Sequence, residues 1–337
     1  MFTIESFCNH VWGLSYSKVL QKIQKEDYQT FFLPKKNGIR TIQALRHNSE
    51  LDSLQVELNK YLQNIPLPVC VKGFKKGGNY NGFLSEHIGA KYFMRIDIAS
   101  FFPSIHESTI KGELSYFIPA NDDSEKEKVI DLICNIVSLN GELPQGARTS
   151  PTISNIVMAR VDQRITKYCQ LLGIRYTRYA DDMLFSSAEF NLFEKKWFLK
   201  KIKHILSALS LKINYQKMKF GYNEVVLNGY IISSTGIRLS RNRLSDIRHI
   251  IACINKNYQI IKSAGEVEFL QRINSLSLKH RDLELFPFKT RFQLTQYLVG
   301  YRSYLISMAD INDCSSFQNE LQRLIRRIEK QVIRLVE

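Results

Sequence analysis

Ile174-Arg175-Tyr176-Thr177-Arg178-Tyr179-Ala180-Asp181-Asp182-Met183-Leu184-Phe185 decides how this chain is read. Two apolar, β-prone runs, 174–178 and 183–185, flank Tyr179-Ala180-Asp181-Asp182. That pattern predicts a hairpin with a carboxylate pair at its turn. Aspartate is depleted in strands, so two of them here need a reason. One reason is a divalent cation; the other is an acidic turn without chemistry. A third aspartate stands upstream on another strand-like run, Phe93-Met94-Arg95-Ile96-Asp97-Ile98. The chain carries its own control in Asp122-Asp123, which precedes Ser124-Glu125-Lys126-Glu127-Lys128 and an apolar helix. That pair reads as a helix N-terminus, where acids suit the dipole.

If Asp97, Asp181 and Asp182 meet, they form an oxygen-rich site of the kind a hard cation such as Mg²⁺ prefers. Two ions about 3.5–4 Å apart stabilise the attacking 3′-oxygen and the leaving oxygen of an in-line displacement. Aspartates on adjacent strands therefore point to nucleotidyl transfer. The same carboxylates repel one another without ions, so the site is expected to be weakly ordered, or to hold fewer metals, without nucleotide.

The surrounding composition agrees. Apolar residues make up 44% and charged residues 23% of the 337, as in a soluble globular protein. Lys and Arg number 47 against 32 Asp and Glu, a net charge of +15 spread along the chain. Such an excess speaks of anionic partners, nucleic acid first and an anionic membrane surface second. No run approaches the ~18–20 apolar residues that span a bilayer, and Met1-Phe2-Thr3-Ile4-Glu5 does not read as a signal peptide. The six cysteines are scattered with no CxxC pair, which argues against zinc ribbons and for free thiols in a reducing cytoplasm.

Further out, Leu33-Pro34-Lys35-Lys36-Asn37-Gly38-Ile39-Arg40-Thr41-Ile42 places Asn-Gly between apolar runs, a hairpin signal. Leu51, Leu54, Leu58 and Leu62 have helical spacing. Residues 73–89 are glycine-rich with Lys75 and Lys76, without the ending of a Walker A loop. Ser150-Pro151 reads as an N-cap followed by proline, opening a helix with Ile153, Ile156, Val157, Val161 and Ile165 on one face and ending near Gly173. Another helix is expected over roughly 191–209, and short strands around Val225-Val226-Leu227 and Tyr230-Ile231-Ile232. From about 240 the pattern is helical and basic. The expected class is α+β followed by an all-α segment.

Several ordered blocks together resemble a bacterial reverse transcriptase of the retron kind, or a closely related defence-associated one, over about residues 15–310. They are Lys35-Lys36-Asn37-Gly38-Ile39-Arg40, the run from Asp97 through Phe101-Phe102-Pro103 to Ile105, Leu143-Pro144-Gln145-Gly146-Ala147-Arg148-Thr149-Ser150-Pro151, Tyr179-Ala180-Asp181-Asp182, Leu211-Lys212-Ile213-Asn214-Tyr215-Gln216-Lys217 and Leu227-Asn228-Gly229-Tyr230. The resemblance implies a right-hand polymerase fold: fingers over 1–90, a palm with an antiparallel sheet over 91–235, and an all-α thumb over 236–337. It implies that Asp97 and Asp181 bridge two Mg²⁺ ions (or Mn²⁺), with the Ile98 carbonyl as a further ligand and Asp182 in a supporting share.

The remaining roles follow from the same resemblance. Lys35 and Arg40 would neutralise the triphosphate of the incoming dNTP; the alternative is solvated hairpin charge. Phe102 would act as a steric gate against a ribose 2′-hydroxyl; the alternative is a core phenylalanine. Gln145 and Gly146 would contact the templating pair. Lys217 would protonate the leaving pyrophosphate, with Lys219 as its competitor. Tyr179, Asn228 and Gly229 would hold the primer strand.

Two departures bear on the subgroup. His87 stands ten residues before Asp97, but Phe83-Leu84 replaces the family's Asn-Ala, and Leu227-Asn228-Gly229 replaces Val-Thr-Gly. In the family both elements handle its own structured RNA; the alternative for His87 is a core or capping histidine. Pro144-Gln145-Gly146 argues against diversity-generating enzymes, and the lack of a recognisable maturase or endonuclease extension argues against group II intron enzymes.

The implied function is an RNA-directed DNA polymerase on a structured noncoding RNA that serves as template and primer, holding an RNA–DNA duplex. It would sit in the bacterial cytoplasm, away from membranes, with a separate antiphage effector protein and a host RNase H as partners. One rival is a defence polymerase that makes untemplated or repetitive DNA. Another is a basic RNA-binding protein without catalysis, against which the three aspartates argue.

Overall fold

The computed structural model describes residues 2–35, 38–279, 281–309 and 315–337. Along the first part run α1 (Ile4–Trp12), α2 (Tyr16–Gln21), β1 (Tyr28–Lys35), β2 (Gly38–Leu45), α3 (Glu50–Leu62), α4 (Tyr80–Ser85), β3 (Tyr92–Asp97), α5 (Glu107–Leu114), α6 (Asp123–Val137) and α7 (Ser150–Gln170). Then come β4 (Arg175–Tyr179), β5 (Asp182–Ser187), α8 (Lys196–Ser207), β6 (Lys219–Tyr222), β7 (Glu224–Leu227), β8 (Tyr230–Ser233) and β9 (Gly236–Leu239). The chain ends in helices α9 (Arg241–Asn257), α10 (Ile260–Ser263), α11 (Gly265–Asn274), α12 (Arg291–Ala309) and α13 (Ser315–Val336). The class is α+β with a helical C-terminal segment, as expected.

The chain divides into two compact units. One comprises Met1–Phe83 with Met94–Phe220, and the other Leu84–Phe93 with Gly221–Glu337. This division groups β7, β8 and β9 with the helices that follow them. Short turns tie these strands into a meander, and the backbone N–H of Ser240, at the start of α9, donates to the Gly229 carbonyl at 2.8 Å.

In the first unit, helix α3 starts at Ser49, whose side chain accepts from the Asp52 N–H, and buries Leu51, Leu54, Leu58 and Leu62. Each such burial contributes roughly 1.5–3 kcal/mol. Asp122 caps α6 by accepting from the Glu125 N–H at 2.8 Å, the helix-start role expected of it. Helix α7 buries Ile153, Ile156, Val157, Val161 and Ile165. Ser150 does not cap it. Thr149 takes the cap position, and the Ser150 hydroxyl donates instead to the Pro144 carbonyl at 2.7 Å, tying the helix to the segment before it. Helix α8 is shorter than the expected 191–209, because Asn191 Oδ1 accepts from the Phe193 N–H at 3.1 Å and makes a turn there.

Strands β1 and β2 pair antiparallel with Lys35 opposite Gly38. The Asn-Gly turn expected between them falls partly on residues 36 and 37, outside the described residues. Strands β4 and β5 pair antiparallel, with Tyr179 opposite Asp182, and β5 neighbours β3 in the sheet. In the second unit Leu227 faces Tyr230 across a two-residue turn. Its residues Asn228 and Gly229 have φ of +49° and +86°, the signs a type I′ hairpin demands.

Candidate active site

The site is assembled by backbone hydrogen bonds at the ends of three segments of the first unit. The Ile98 N–H donates to the Asp181 carbonyl at 3.1 Å, and the Asn214 N–H donates to the Asp97 carbonyl at 2.8 Å. The Ala99 N–H donates to the Lys212 carbonyl at 2.9 Å. The β3 end, the β4–β5 turn and the segment carrying Lys217 therefore converge. Asp97 and Asp182 are buried, and Asp181 is half-buried.

The turn itself is held from beneath. Tyr176 and Arg178 alternate on one face of β4, two residues apart. Both reach Asp162 of α7: the Tyr176 hydroxyl donates at 2.7 Å, and Arg178 Nη2 donates at 2.7 Å with Nε at 3.0 Å. This ion pair has no solvent exposure. Arg178 Nη1 also donates to the Ala180 carbonyl at 3.0 Å, fixing a residue whose φ is +56°. The Arg178 N–H donates to Cys70, and its carbonyl accepts from the Lys72 N–H, each at 2.8 Å. Gly73 makes this approach close: a Cβ there would lie 3.0 Å from the Ala180 nitrogen and 3.1 Å from Tyr179 Cγ, so a side chain would press on the turn.

Around the carboxylates two cations are in place. Arg95, two residues before Asp97 on β3, donates Nε to Asp182 Oδ1 at 2.8 Å and a second hydrogen bond from Nη2 to the same oxygen. Its Nη2 is 4.0 Å from Asp97 Oδ1. Lys217 Nζ approaches Asp97 Oδ1 at 3.2 Å, while Lys219 is exposed on β6. Burial pushes the Asp181 carboxyl above the ordinary carboxylate range, and the charge of Asp97 adds to the shift. Burial likewise raises Asp182; Arg95 opposes that, and Asp181 and Asp97 add to it.

The fit to divalent ions can be judged from these donors. Asp97 Oδ2 is buried without a hydrogen-bond partner among the described residues. Carboxylate and carbonyl oxygens are the donors a hard cation takes. Asp97, Asp181 and the Ile98 carbonyl fit that requirement. Asp182 differs from expectation in being committed to Arg95, and no group of three acidic, His or Cys side chains stands ready to hold an ion among the described residues.

The other expected residues fall in three places. Gln145 and Gly146 lie against β2: the Gln43 N–H donates to the Gln145 carbonyl at 2.8 Å. Gly146 has φ +129°, and a Cβ there would lie 2.7 Å from Ile42 Cγ2. Arg40 is exposed on the same hairpin opposite Leu33, and the Lys35 side chain is outside the described residues. Phe102 is half-buried, its ring centroid 6.4 Å from that of Phe74, which is 6.1 Å from Tyr179; Phe101 goes to the core. In the second unit, Asn228 is exposed at its turn, while Gly229 packs on Arg243, 2.8 Å from where a Cβ would sit. His87 is fully buried there and offers no surface for direct contact with RNA.

Sequence reasoning assigned no role to Arg95, Arg178, Asp162 or Gly73. The signal for Arg95 was its separation of two from Asp97, which puts both on one face of a strand. The signal for Arg178 was a charge inside an apolar strand. Nothing in the sequence pointed to Asp162, which lies on a helix far from the turn in chain order.

Residues 23–270 match the family model described as reverse transcriptase (RNA-dependent DNA polymerase). The chain is 29% identical over 264 residues to the retron Ec86 reverse transcriptase of Escherichia coli, covering 76% of this chain and 79% of that protein. It is 30% identical over 182 residues to the retron Mx65 reverse transcriptase of Myxococcus xanthus, covering 50% of this chain and 42% of that one, so it spans under half of the latter's length. Among solved structures, apo telomerase from Candida tropicalis aligns with a TM-score of 0.48 at 11% identity, covering 91% of this chain and 62% of that one. With its family match extending over well more than half of its length, the chain belongs to the reverse transcriptase (RNA-dependent DNA polymerase) family, and the curated relatives it is similar to are retron enzymes.

Proposed function

We propose that this RNA-directed DNA polymerase extends a primer on a structured noncoding RNA through a site of Asp97, Asp181 and the Ile98 carbonyl, with Asp182 in a supporting share. The observation that supports the reading is the backbone bond from Ile98 to Asp181, which draws the two acidic segments together, with the unpaired Asp97 oxygen beside it. Two Mg²⁺ ions bound here, or Mn²⁺, would stabilise the attacking 3′-oxygen and the leaving oxygen of the displacement.

The chain's own residues supply the rest. Lys217 is a flexible ammonium, more than half exposed, that can leave Asp97 and hand a proton to the pyrophosphate. Phe102, half-buried, is the proposed gate against a ribose 2′-hydroxyl. Gly146 lets the backbone of the Pro144-Gln145-Gly146 segment approach the templating pair, and Arg40, with Lys35, neutralises triphosphate charge. Tyr179 is the proposed primer contact of the first unit, and Asn228 and Gly229 those of the second. Fingers, palm and thumb over 1–90, 91–235 and 236–337 form the working division, with the RNA–DNA duplex as product.

No helix among the described residues is long and apolar enough to cross a membrane, and the proposed setting is the bacterial cytoplasm. A separate effector protein and a host RNase H complete the proposed antiphage system.

Primer extension tests the catalytic reading. Asp97→Asn and Asp181→Asn should each reduce extension by more than the roughly 10–100-fold that loss of a residue merely orienting a metal ligand costs. Extension equal to wild type by either variant would remove the proposed site.

A further inference from the structure

Three acidic side chains and two basic ones meet at this site, and the two cations are unlike. Lys217 comes from the surface with its side chain 56% exposed; its ammonium rides on a flexible stem and can withdraw. Arg95 is 9% exposed, rises from β3 itself and places two N–H groups on one oxygen of Asp182. A guanidinium does not lose its proton in a protein. Its charge is therefore permanent, and Nη2 lies 4.0 Å from Asp97 Oδ1 as well.

We propose that Arg95 is a built-in counter-cation and positioning residue: it holds Asp182 in an ion pair and leaves ion binding to Asp97, Asp181 and the Ile98 carbonyl. This rests on the two-ion reading and deepens it. The consequence has two signs. Without ions, Arg95 offsets the mutual repulsion of three crowded carboxylates. With ions, its positive charge opposes theirs and weakens their binding. The chain thus stays folded and poised at low divalent concentration, and ions bind chiefly when nucleotide adds its own negative charge. Asp182 acts through Arg95, and the two-residue separation of Arg95 from Asp97 on β3 puts that guanidinium within reach of both carboxylates.

Mn²⁺ binding to the full chain with primer–template and a non-hydrolysable dNTP analogue, followed by the electron paramagnetic resonance of free Mn²⁺, is the test, with melting temperature in EDTA and in Mn²⁺ alongside. Arg95→Met should bind Mn²⁺ at least about tenfold tighter, the order that removal of one nearby unit charge gives after screening. It should also melt lower than wild type in EDTA, with much of that difference recovered in Mn²⁺. Arg95→Lys should keep wild-type Mn²⁺ affinity, because it keeps the charge, yet melt lower in EDTA, because it loses the two-donor fork. Should Arg95→Met fail to fold, the double variant Arg95→Met/Asp182→Asn removes both partners and leaves the site's net charge unchanged. That variant should bind Mn²⁺ as wild type does. Weakened binding by the double variant would make Asp182 a ligand and overturn the proposal, as would equal Mn²⁺ affinity in Arg95→Met with equal melting losses in both media. Absence of Mn²⁺ binding in wild type would instead bring down the two-ion reading, and this inference with it.

Discussion

The Asp181 carboxyl shows how function and stability oppose each other at a single residue. Burial and the neighbouring Asp97 raise its pKa in the folded, ion-free protein. A carboxyl raised on folding contributes most stability below its unfolded value and loses it as pH climbs through the folded one. Ion-free protein should therefore weaken as pH rises above the ordinary carboxylate range toward neutrality. Asp181→Asn in EDTA should melt higher than wild type at neutral pH, and the gap should close at pH values below that range. A thermal series across pH in EDTA checks this, and a variant that melts lower than wild type at neutral pH would contradict the burial argument. The aspartates were legible in the sequence because acidic residues inside β-prone runs are out of place. Arg95 was not, because an arginine in a strand is ordinary until its partner is known. That partner, Asp182, is distant in the chain, and only the fold aligns the two.

At the scale of elements, the β4–β5 hairpin owes its shape to a support that short-range patterns do not announce. The spacing of apolar residues showed α3 and α7 correctly, and the two short apolar runs showed the strands on either side of Asn228-Gly229. The cap of α7 was misread, because Ser150 has a competing acceptor in the Pro144 carbonyl that no local pattern reveals. Arg178 is the deeper case, since its charge is balanced by Asp162 on α7 while a third donor serves the Ala180 carbonyl. Removing one member of a buried pair costs about 3–5 kcal/mol, whereas replacing both by apolar groups is often neutral. Arg178→Met alone should be strongly destabilised. Arg178→Met/Asp162→Leu should recover part of the melting temperature, the rest being lost with the acceptor of the buried Tyr176 hydroxyl, but turn over more slowly, with KM for nucleotide little changed, because Ala180 loses its donor. A double variant with wild-type melting and wild-type turnover would show that Arg178 does not hold the turn.

For the molecule as a whole, the excess of 47 basic over 32 acidic residues is a property of surface and partner, not of fold. Its spread along the sequence was readable at once, whereas its placement required helices. On α13, Arg323, Arg326, Arg327 and Lys330 are exposed, while Leu321, Leu324 and Ile328 are buried on the opposite side. Charge so placed meets phosphates of a duplex without reading sequence. Each phosphate neutralised releases counterions, so the logarithm of affinity falls with the logarithm of salt by about 0.9 per contact on duplex DNA. A polymerase that tracks a duplex through some six to ten such contacts should lose on the order of 10³–10⁵ in affinity between 50 and 200 mM salt. Arg326→Ala/Arg327→Ala should lower that slope by roughly two, at about one per lost contact, and weaken binding alike on unrelated sequences. Fluorescence anisotropy of a labelled RNA–DNA duplex across a salt series measures both quantities. A slope unchanged by the double variant would take α13 out of the phosphate contacts and leave them to basic residues elsewhere in the chain.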